Sequence, residues 1–233
     1  MSGSASLTQE VYNRLRADLM ACRLAPGQKL KINELSARLV AGTSAVREAL
    51  SRLTSEGFVV LEPQRGFRVM PLSPEELCDL TNTRCEIEGL CIRNSISHGD
   101  IEWETNLIAA LHRLSRTPVS AEGDPQRCSD AYMAAHAAFH EAVVAACTSR
   151  WLLNLRQLLF AQTERYRWLS KPLAKVDRDV NAEHSNIAAA ALARDPERAV
   201  TLMNDHLHMT ARIILDASIG DQSILQNQNR LAS

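Results

Sequence analysis

The sequence lacks the features that mark membrane-spanning and secreted proteins. Its 233 residues contain no apolar run near the eighteen residues that a transmembrane helix needs, and the opening MSGSAS is polar rather than basic and then apolar. Hydrophobic residues make up 45% and charged residues 23%, which is ordinary for a globular protein. We therefore expect a cytoplasmic protein with two modest domains.

The sequence also lacks any CxxC pair, the spacing typical of redox motifs and of many structural zinc sites. Its cysteines lie mostly within helical patterns, which predicts reduced, structural thiols. Redox sensing by a group on one helix is the alternative. The six cysteines are Cys22, Cys78, Cys85, Cys91, Cys128 and Cys147.

Charge is unevenly divided along the chain, although the net charge is only −1. Residues 1–72 carry ten Lys/Arg against six Asp/Glu, a balance of +4, whereas the remainder carries sixteen against twenty-one, a balance of −5. A basic module joined to an acidic one favours contact of the first with phosphates. We predict two domains, 1–72 and 73–233, joined by the linker Pro71–Pro74.

Hydrophobic spacing in the first domain predicts two short helices around a tight turn at Ala41-Gly42, after an initial amphipathic helix. After Gly57 the pattern changes to two short strands flanking Pro63–Gly66, a β-hairpin with a basic tip. Three helices and a hairpin form a winged helix-turn-helix. The predicted helices are 7–22, 33–40 and 43–55, and the predicted strands are 58–61 and 67–70.

A winged helix-turn-helix places the start of its second motif helix against base edges, while the wing contacts the DNA backbone or the minor groove. An arginine one turn into that helix can read a guanine or bind a phosphate. The candidate DNA-binding residues are Thr43, Ser44, Arg47, Arg52, Arg65 and Gly66.

The second domain is helical in pattern throughout, and Ser73 is a good N-cap for its first helix. Its connections are short except at 117–127, which predicts an all-α antiparallel bundle of about six helices. The fold class is therefore mainly α. We expect the tail from Asp216 to be frayed. The predicted helices are 74–98, 101–116, 128–147, 150–169, 174–193 and 196–216.

Histidines in the bundle form a candidate metal site. His136 and His140 are four residues apart and so share one helix face, while His184 and His206 lie in largely apolar or small-residue stretches of two later helices. A helical bundle can bring such side chains together at its centre. The remaining histidines, His98, His112 and His208, point elsewhere or lie at the surface.

The first domain resembles the GntR family of regulators over about 65 residues. In the family an arginine that contacts bases occupies the position of Thr43, so the resemblance does not carry an operator sequence to this chain. Arg47, Arg65 and Gly66 keep the family pattern. The matching segments are LAPGQKL (24–30), LSARL (35–39), AVREALSRL (45–53), EG (56–57) and RGFRV (65–69).

The second domain resembles the FadR-type (FCD) C-terminal domain of that family. The resemblance implies a metal site of one Asp and three His, with the Asp position occupied by His136. Two readings follow: a four-nitrogen site for Zn²⁺ or Ni²⁺, or a metal-free site whose protonated histidines hold an anion. Asn181 and Glu183 are candidates for orienting the ligands. The matching segments are 84–89, 136–140, 183–184 and 206.

The resemblance further implies a homodimer, a near-palindromic operator and a small carboxylate effector. Arg84 is the first candidate for binding that carboxylate, and an ion pair with Glu88 is its alternative role. Further candidates are Arg165, Tyr166 and Arg212.

Two other functions compete with this reading: a metalloenzyme with a histidine site, and a sensor without DNA contact. The sequence contains no HExxH, ExxH, GxSxG or phosphate-binding glycine loop, which argues against an enzyme.

Overall fold

The computed structural model describes residues 7–71, 73–173 and 178–220. For residues 124–128, 167–173 and 217–220 it describes the backbone only. The predicted start of a helix at 174–177 and the tail beyond Gly220 lie outside the described residues.

The N-terminal part, called the head below, contains three helices and a small sheet. The helices are α1 (Leu7–Met20), α2 (Ile32–Leu39) and α3 (Thr43–Ser55). Three antiparallel strands, in the order β1-β3-β2, form the sheet: β1 (Lys29–Leu30), β2 (Val59–Glu62) and β3 (Gly66–Val69). The predicted winged helix-turn-helix is confirmed, and β1 is a strand that the sequence analysis missed.

The head closes over its own apolar core. Leu15, Leu50, Leu53 and Phe58 are all fully buried there. In α1 and α3 the apolar residues recur at helical spacing, so that one face of each helix turns inward. The turn between α2 and α3 is unusual, since Val40 takes the left-handed conformation at φ 51° while its side chain is 87% exposed. Glycine would accept that conformation without steric cost, whereas a β-branched residue does not.

The rest of the described chain is a six-helix bundle, as predicted. Its helices are capped by side chains where the sequence offers Ser or Asp; Ser73, for example, accepts a hydrogen bond from the Glu76 N–H at 3.0 Å. They are α4 (Pro74–His98), α5 (Ile101–Arg116), α6 (Asp130–Val144), α7 (Arg150–Leu173), α8 (Val180–Leu192) and α9 (Pro196–Gly220).

The connection at 117–127, predicted only as the long one, contains regular secondary structure. It holds a two-stranded hairpin, β4 (Ser120–Ala121) and β5 (Asp124–Cys128), and Ser129 then caps α6, which therefore begins after the predicted residue 128. The last helix also continues beyond Asp216 to Gly220, so the part of the expected frayed tail that the structure describes is helical.

The bundle has its own core, built around Trp103, Leu107, Phe139 and Ile187. Helix α4 lies against α6, α7 and α9, and the histidines come from α6, α8 and α9. Across the described ranges, we find no helix both long enough and apolar enough to cross a membrane.

Candidate metal and effector site

Four buried histidines meet at the centre of the bundle. His136 and His140 come from α6, His184 from α8 and His206 from α9, and each side chain is at most 5% exposed. One ring nitrogen from each lies within 4.8 Å of the corresponding nitrogen of every other. The structure thus brings together all four residues that the sequence analysis selected.

The spacing of these nitrogens fits a tetrahedral ion. Zn–N bonds of about 2.0–2.1 Å place neighbouring ligand nitrogens roughly 3.4 Å apart. The Nε2 atoms of His136 and His140 are already 3.0 Å apart, and an upper separation of 4.8 Å requires only small side-chain movements. The four rings can therefore hold a metal ion.

Burial favours the neutral form of one ring of the cluster, His140. Burial, reinforced by the neighbouring His206 and His184, holds the pKa of His140 well below its usual range. A neutral ring offers a lone pair to a metal, whereas a protonated ring does not. His140 is therefore in the form that can ligate a metal.

A carboxylate orients one of the rings. Glu183 accepts a hydrogen bond from Nδ1 of His206 at 2.7 Å, and Arg178 donates two more to the same carboxylate at 2.7 and 2.6 Å. Burial alone would raise the pKa of Glu183, but the hydrogen bonds from Arg178 and His206 outweigh it and lower the pKa to about 2. Because the carboxylate is ionised, Nδ1 carries the proton and Nε2 of His206 is left to face the cluster.

The other predicted orienting residue, Asn181, is exposed on α8. Arg178 was not predicted at all. It lies before α8 in sequence, donates to the Glu183 carboxylate, and donates directly to the His206 carbonyl at 3.1 Å. No spacing along the chain signals either contact.

A small cavity of about 30 Å³ adjoins the histidines. Its polar wall contains Arg84, Glu164 and Tyr166, while Leu77 and Ile214 are part of its apolar wall. A cavity of this size admits a few water-sized atoms, so a carboxylate group fits beside the histidines more readily than a bulky ligand does.

Arg84 lies in the cavity wall and is also part of a buried ion network. Its Nε and Nη2 donate to Oε1 of Glu88 at 3.3 and 3.2 Å, and its Nη1 donates to the Thr163 hydroxyl. The ion pair weighed as an alternative role is therefore present. Glu88 is fully buried and accepts a further hydrogen bond from Arg156 at 2.9 Å, which holds the guanidinium of Arg84 in a fixed orientation at the cavity.

Of the three other effector candidates, one lines the cavity and two do not. Tyr166 lines the cavity, but Arg165 and Arg212 are not among its lining residues. Arg212 is exposed and donates to Sδ of Met209, and Arg165 turns toward the head, where its Nη2 donates to the Met70 carbonyl at 2.6 Å.

The candidate DNA-binding residues lie on the surface of the head. Thr43, Ser44 and Arg47 are exposed in the first turns of α3, and Arg65 and Gly66 are exposed at the tip of the wing, where Gly66 has φ 86°. Arg52 is held instead against α1, because it donates to Gln9 at 3.0 Å and lies 4.0 Å from the centre of the Tyr12 ring.

An exposed second motif helix and an exposed wing, joined to a helical bundle with a buried histidine cluster, are typical of winged helix-turn-helix regulators that bind DNA. Comparison with known proteins agrees. The family model described as "Bacterial regulatory proteins, gntR family" matches residues 7–69, and the "FCD domain" model matches residues 79–209. The chain belongs to the GntR family of transcriptional regulators, in the branch that carries an FCD domain.

Similar proteins are also named transcriptional regulators. The chain is 37% identical over 209 residues to the uncharacterized HTH-type transcriptional regulator BphR of Paraburkholderia xenovorans (strain LB400), covering 90% of this chain and 85% of that protein. It is 36% identical over 214 residues to the HTH-type transcriptional repressor GlaR of Escherichia coli (strain K12), covering 90% and 96%. The families and relatives are transcriptional regulators, not enzymes.

Solved structures share the fold. Escherichia coli McbR/YncC superposes with a TM-score of 0.73 at 21% identity, over 91% of this chain and 99% of that one. A putative GntR regulator from Rhodococcus sp. RHA1 gives 0.72 at 20% identity, over 91% and 99%.

Proposed function

We propose that the chain is a homodimeric transcriptional repressor whose operator affinity is controlled by a small carboxylate bound beside a zinc ion. The observation that carries this proposal is the four-histidine cluster with Arg84 at its cavity, in a chain that also presents an exposed recognition helix. Repression is favoured by the relative that is named a repressor.

Zinc is the metal that the donor set favours. Four imidazole nitrogens within 4.8 Å of one another suit Zn²⁺, with Ni²⁺ as the second choice, and an all-nitrogen set is poor for harder ions. His136, His140, His184 and His206 would hold the ion. When bound, zinc would be a Lewis acid that could take one carboxylate oxygen as a fifth ligand, while Arg84 could donate to the other oxygen.

A dimer is favoured by an exposed apolar stripe on α7. Trp151 is 79% exposed, and Leu155 and Leu158 follow at helical spacing with 45% and 42% exposure. Large apolar side chains grouped in this way mark a contact surface rather than a solvated one. We assign it to a second copy of the chain, because two heads related by a two-fold axis match a near-palindromic operator.

Selection of binding sites from a random DNA pool tests the DNA-binding part of the proposal. The expected product has two inverted half-sites about one helical turn apart. Affinity is then measured by fluorescence anisotropy at fixed salt for the wild type, Arg47→Ala and the control Arg113→Ala, an exposed bundle position. Arg47→Ala should lose about 1–3 kcal/mol of binding free energy if it reads a base. Enrichment of no common sequence, or equal affinity for all three proteins, would overturn the assignment.

A further inference from the structure

Consecutive residues of α7 face two different parts of the molecule. Gln162 and Arg165 contact the head, whereas Thr163 and Glu164 line the cavity beside the histidines. One turn of helix therefore lies directly between the candidate ligand site and the DNA-binding head.

On the head side, both side chains donate to backbone carbonyls. Nε2 of Gln162 donates to the Glu56 carbonyl at 2.5 Å, and Nη2 of Arg165 donates to the Met70 carbonyl at 2.6 Å. Glu56 directly follows α3 and Met70 directly follows β3 of the wing. The two hydrogen bonds thus hold the ends of the two elements that carry the candidate DNA contacts. Ala161 packs into the head core one residue earlier.

On the cavity side, the intervening residues contact the ligand site. The Thr163 hydroxyl accepts a hydrogen bond from Arg84, and Oε1 of Glu164 lies 4.0 Å from Nδ1 of His136. A ligand that reorients Arg84 or His136 must change one of these contacts. When such a change moves the backbone of this turn, Gln162 and Arg165 move with it, because the residues of one helix turn move as a unit.

The contact between Arg165 and the head costs folding stability. Arg165 is 1% exposed, and within the described residues its hydrogen bonds go to a side-chain amide oxygen and a carbonyl rather than to a carboxylate. A buried cation held by neutral groups lowers the stability of the fold. This contact therefore contributes more to fixing the orientation of the head than to stabilising it. A cleft of about 500 Å³ between α1 and α7, lined in part by Arg16 and Leu158, adjoins this contact.

We propose that Gln162 and Arg165 are positioning residues that set the orientation of the head and transmit the state of the cavity to α3 and the wing. The proposal rests on the proposed function, because it takes the cavity as the ligand site and the head as the DNA-binding part. It adds the route between the two, which runs through a single turn of α7.

The test measures hydrogen–deuterium exchange of the full chain without DNA, in peptides covering 53–62 and 66–71 of the head. The cavity is perturbed in two independent ways: by adding Zn²⁺ to protein stripped with a chelator, and by Thr163→Val, which removes the hydroxyl that accepts from Arg84. Each perturbation is applied to the wild type, to Gln162→Met/Arg165→Met and to the control Arg113→Met, an exposed position on α5.

We expect each perturbation to change the hydrogen–deuterium exchange rate of the head peptides by at least about fivefold in the wild type and the control. A fivefold change is the lower end of ordinary allosteric coupling. In the double variant the head response should disappear while the bundle peptides still respond. If the double variant fails to fold by circular dichroism, the single variant Gln162→Met replaces it, with a reduced head response expected.

Equal head responses in the variant and the wild type would overturn the proposal, as would a wild-type head that ignores both perturbations. Failure of the proposed metal function is separately visible, because zinc would then leave the bundle peptides unchanged while Thr163→Val still tests the route through α7.

Discussion

Glu183 shows at the scale of single residues how the bundle orients a histidine that the proposed metal site would use. A carboxylate that accepts from Nδ1 of a ligating histidine fixes the tautomer of the ring and raises the basicity of Nε2. Here Glu183 does this for His206, and Arg178 keeps the carboxylate in place. The two residues are neutral together, so what they supply is the orientation of the ring.

We expect Glu183→Gln to weaken zinc binding about 10–100-fold, the usual cost of losing such a partner. The amide keeps the shape of the carboxylate but removes its charge. Chelator competition measures the affinity, with Asn181→Ala as the control because Asn181 is exposed on the same helix. Equal affinities for the two variants would show that Glu183 does not orient a ligand.

Arg84 supplies the second prediction at this scale. Arg84→Lys keeps a positive charge but loses the planar fork that can engage a carboxylate while still bonded to Glu88. Calorimetric titration of zinc-loaded protein with acetate, oxalate, succinate and citrate should find at least one ligand whose affinity falls about 10–100-fold in this variant, as expected for a lost charged hydrogen bond. Arg212→Lys, outside the cavity, should bind like the wild type. Unchanged binding in Arg84→Lys would remove the arginine from the effector site.

At the scale of elements, the turn between α2 and α3 carries strain that the sequence explains. Val40 is β-branched and occupies the left-handed region, where such residues are disfavoured. Its N–H still completes the C-terminal turn of α2 by bonding to the Ala37 carbonyl. The turn therefore keeps its shape at a cost to stability, and the recognition helix begins three residues later.

Val40→Gly should raise the free energy of unfolding by roughly 1 kcal/mol, because relief of left-handed strain exceeds the extra entropy that glycine gives the unfolded chain. Urea denaturation measures the change. Val119→Gly, at a half-exposed loop position without positive φ, should instead be neutral or destabilising. If both substitutions lower stability equally, the strain at Val40 is absent.

Elements with strong local signals were predictable from the sequence. Helix α5 begins and ends at the predicted residues, because Asp100 accepts from the Trp103 N–H as its N-cap and apolar residues recur at helical spacing. Strands β1, β4 and β5 were missed because two to five residues carry too little alternation to separate a strand from a loop. Pairing with a distant strand, as Leu30 pairs with Phe67, makes β1 a strand.

The site was only partly predictable for a related reason. The i,i+4 pair His136 and His140 is visible in one helix, and the resemblance pointed to the other two histidines. The roles of Arg178, Glu164 and Arg165 depend on how helices pack, and no spacing along the chain encodes that packing. Arg165 in particular faces the head, although its cavity-lining neighbour Tyr166 faces the ligand site.

At the scale of the whole molecule, the proposed dimer is tested through the stripe on α7. The wild type should sediment at twice the chain mass of 25.8 kDa. Trp151→Asp places a charge on the stripe and should weaken the dimer by at least tenfold, since burying an unpaired charge costs several kcal/mol. Ile101→Asp, at a 78% exposed position of α5, should leave the dimer intact. A Trp151→Asp protein as dimeric as the wild type would place the contact elsewhere.

The central claim is that the four histidines form one metal site, and zinc content tests it most directly. The metal is measured by mass spectrometry after dialysis against a weak chelator, in the wild type, in His140→Ala/His184→Ala and in His208→Ala, whose histidine is exposed on α9. We predict one zinc ion per chain in the wild type and in His208→Ala, and less than about a tenth of that in the double variant, which loses half of the ligands. Equal zinc content in all three proteins, or none in the wild type after zinc loading, would contradict the account.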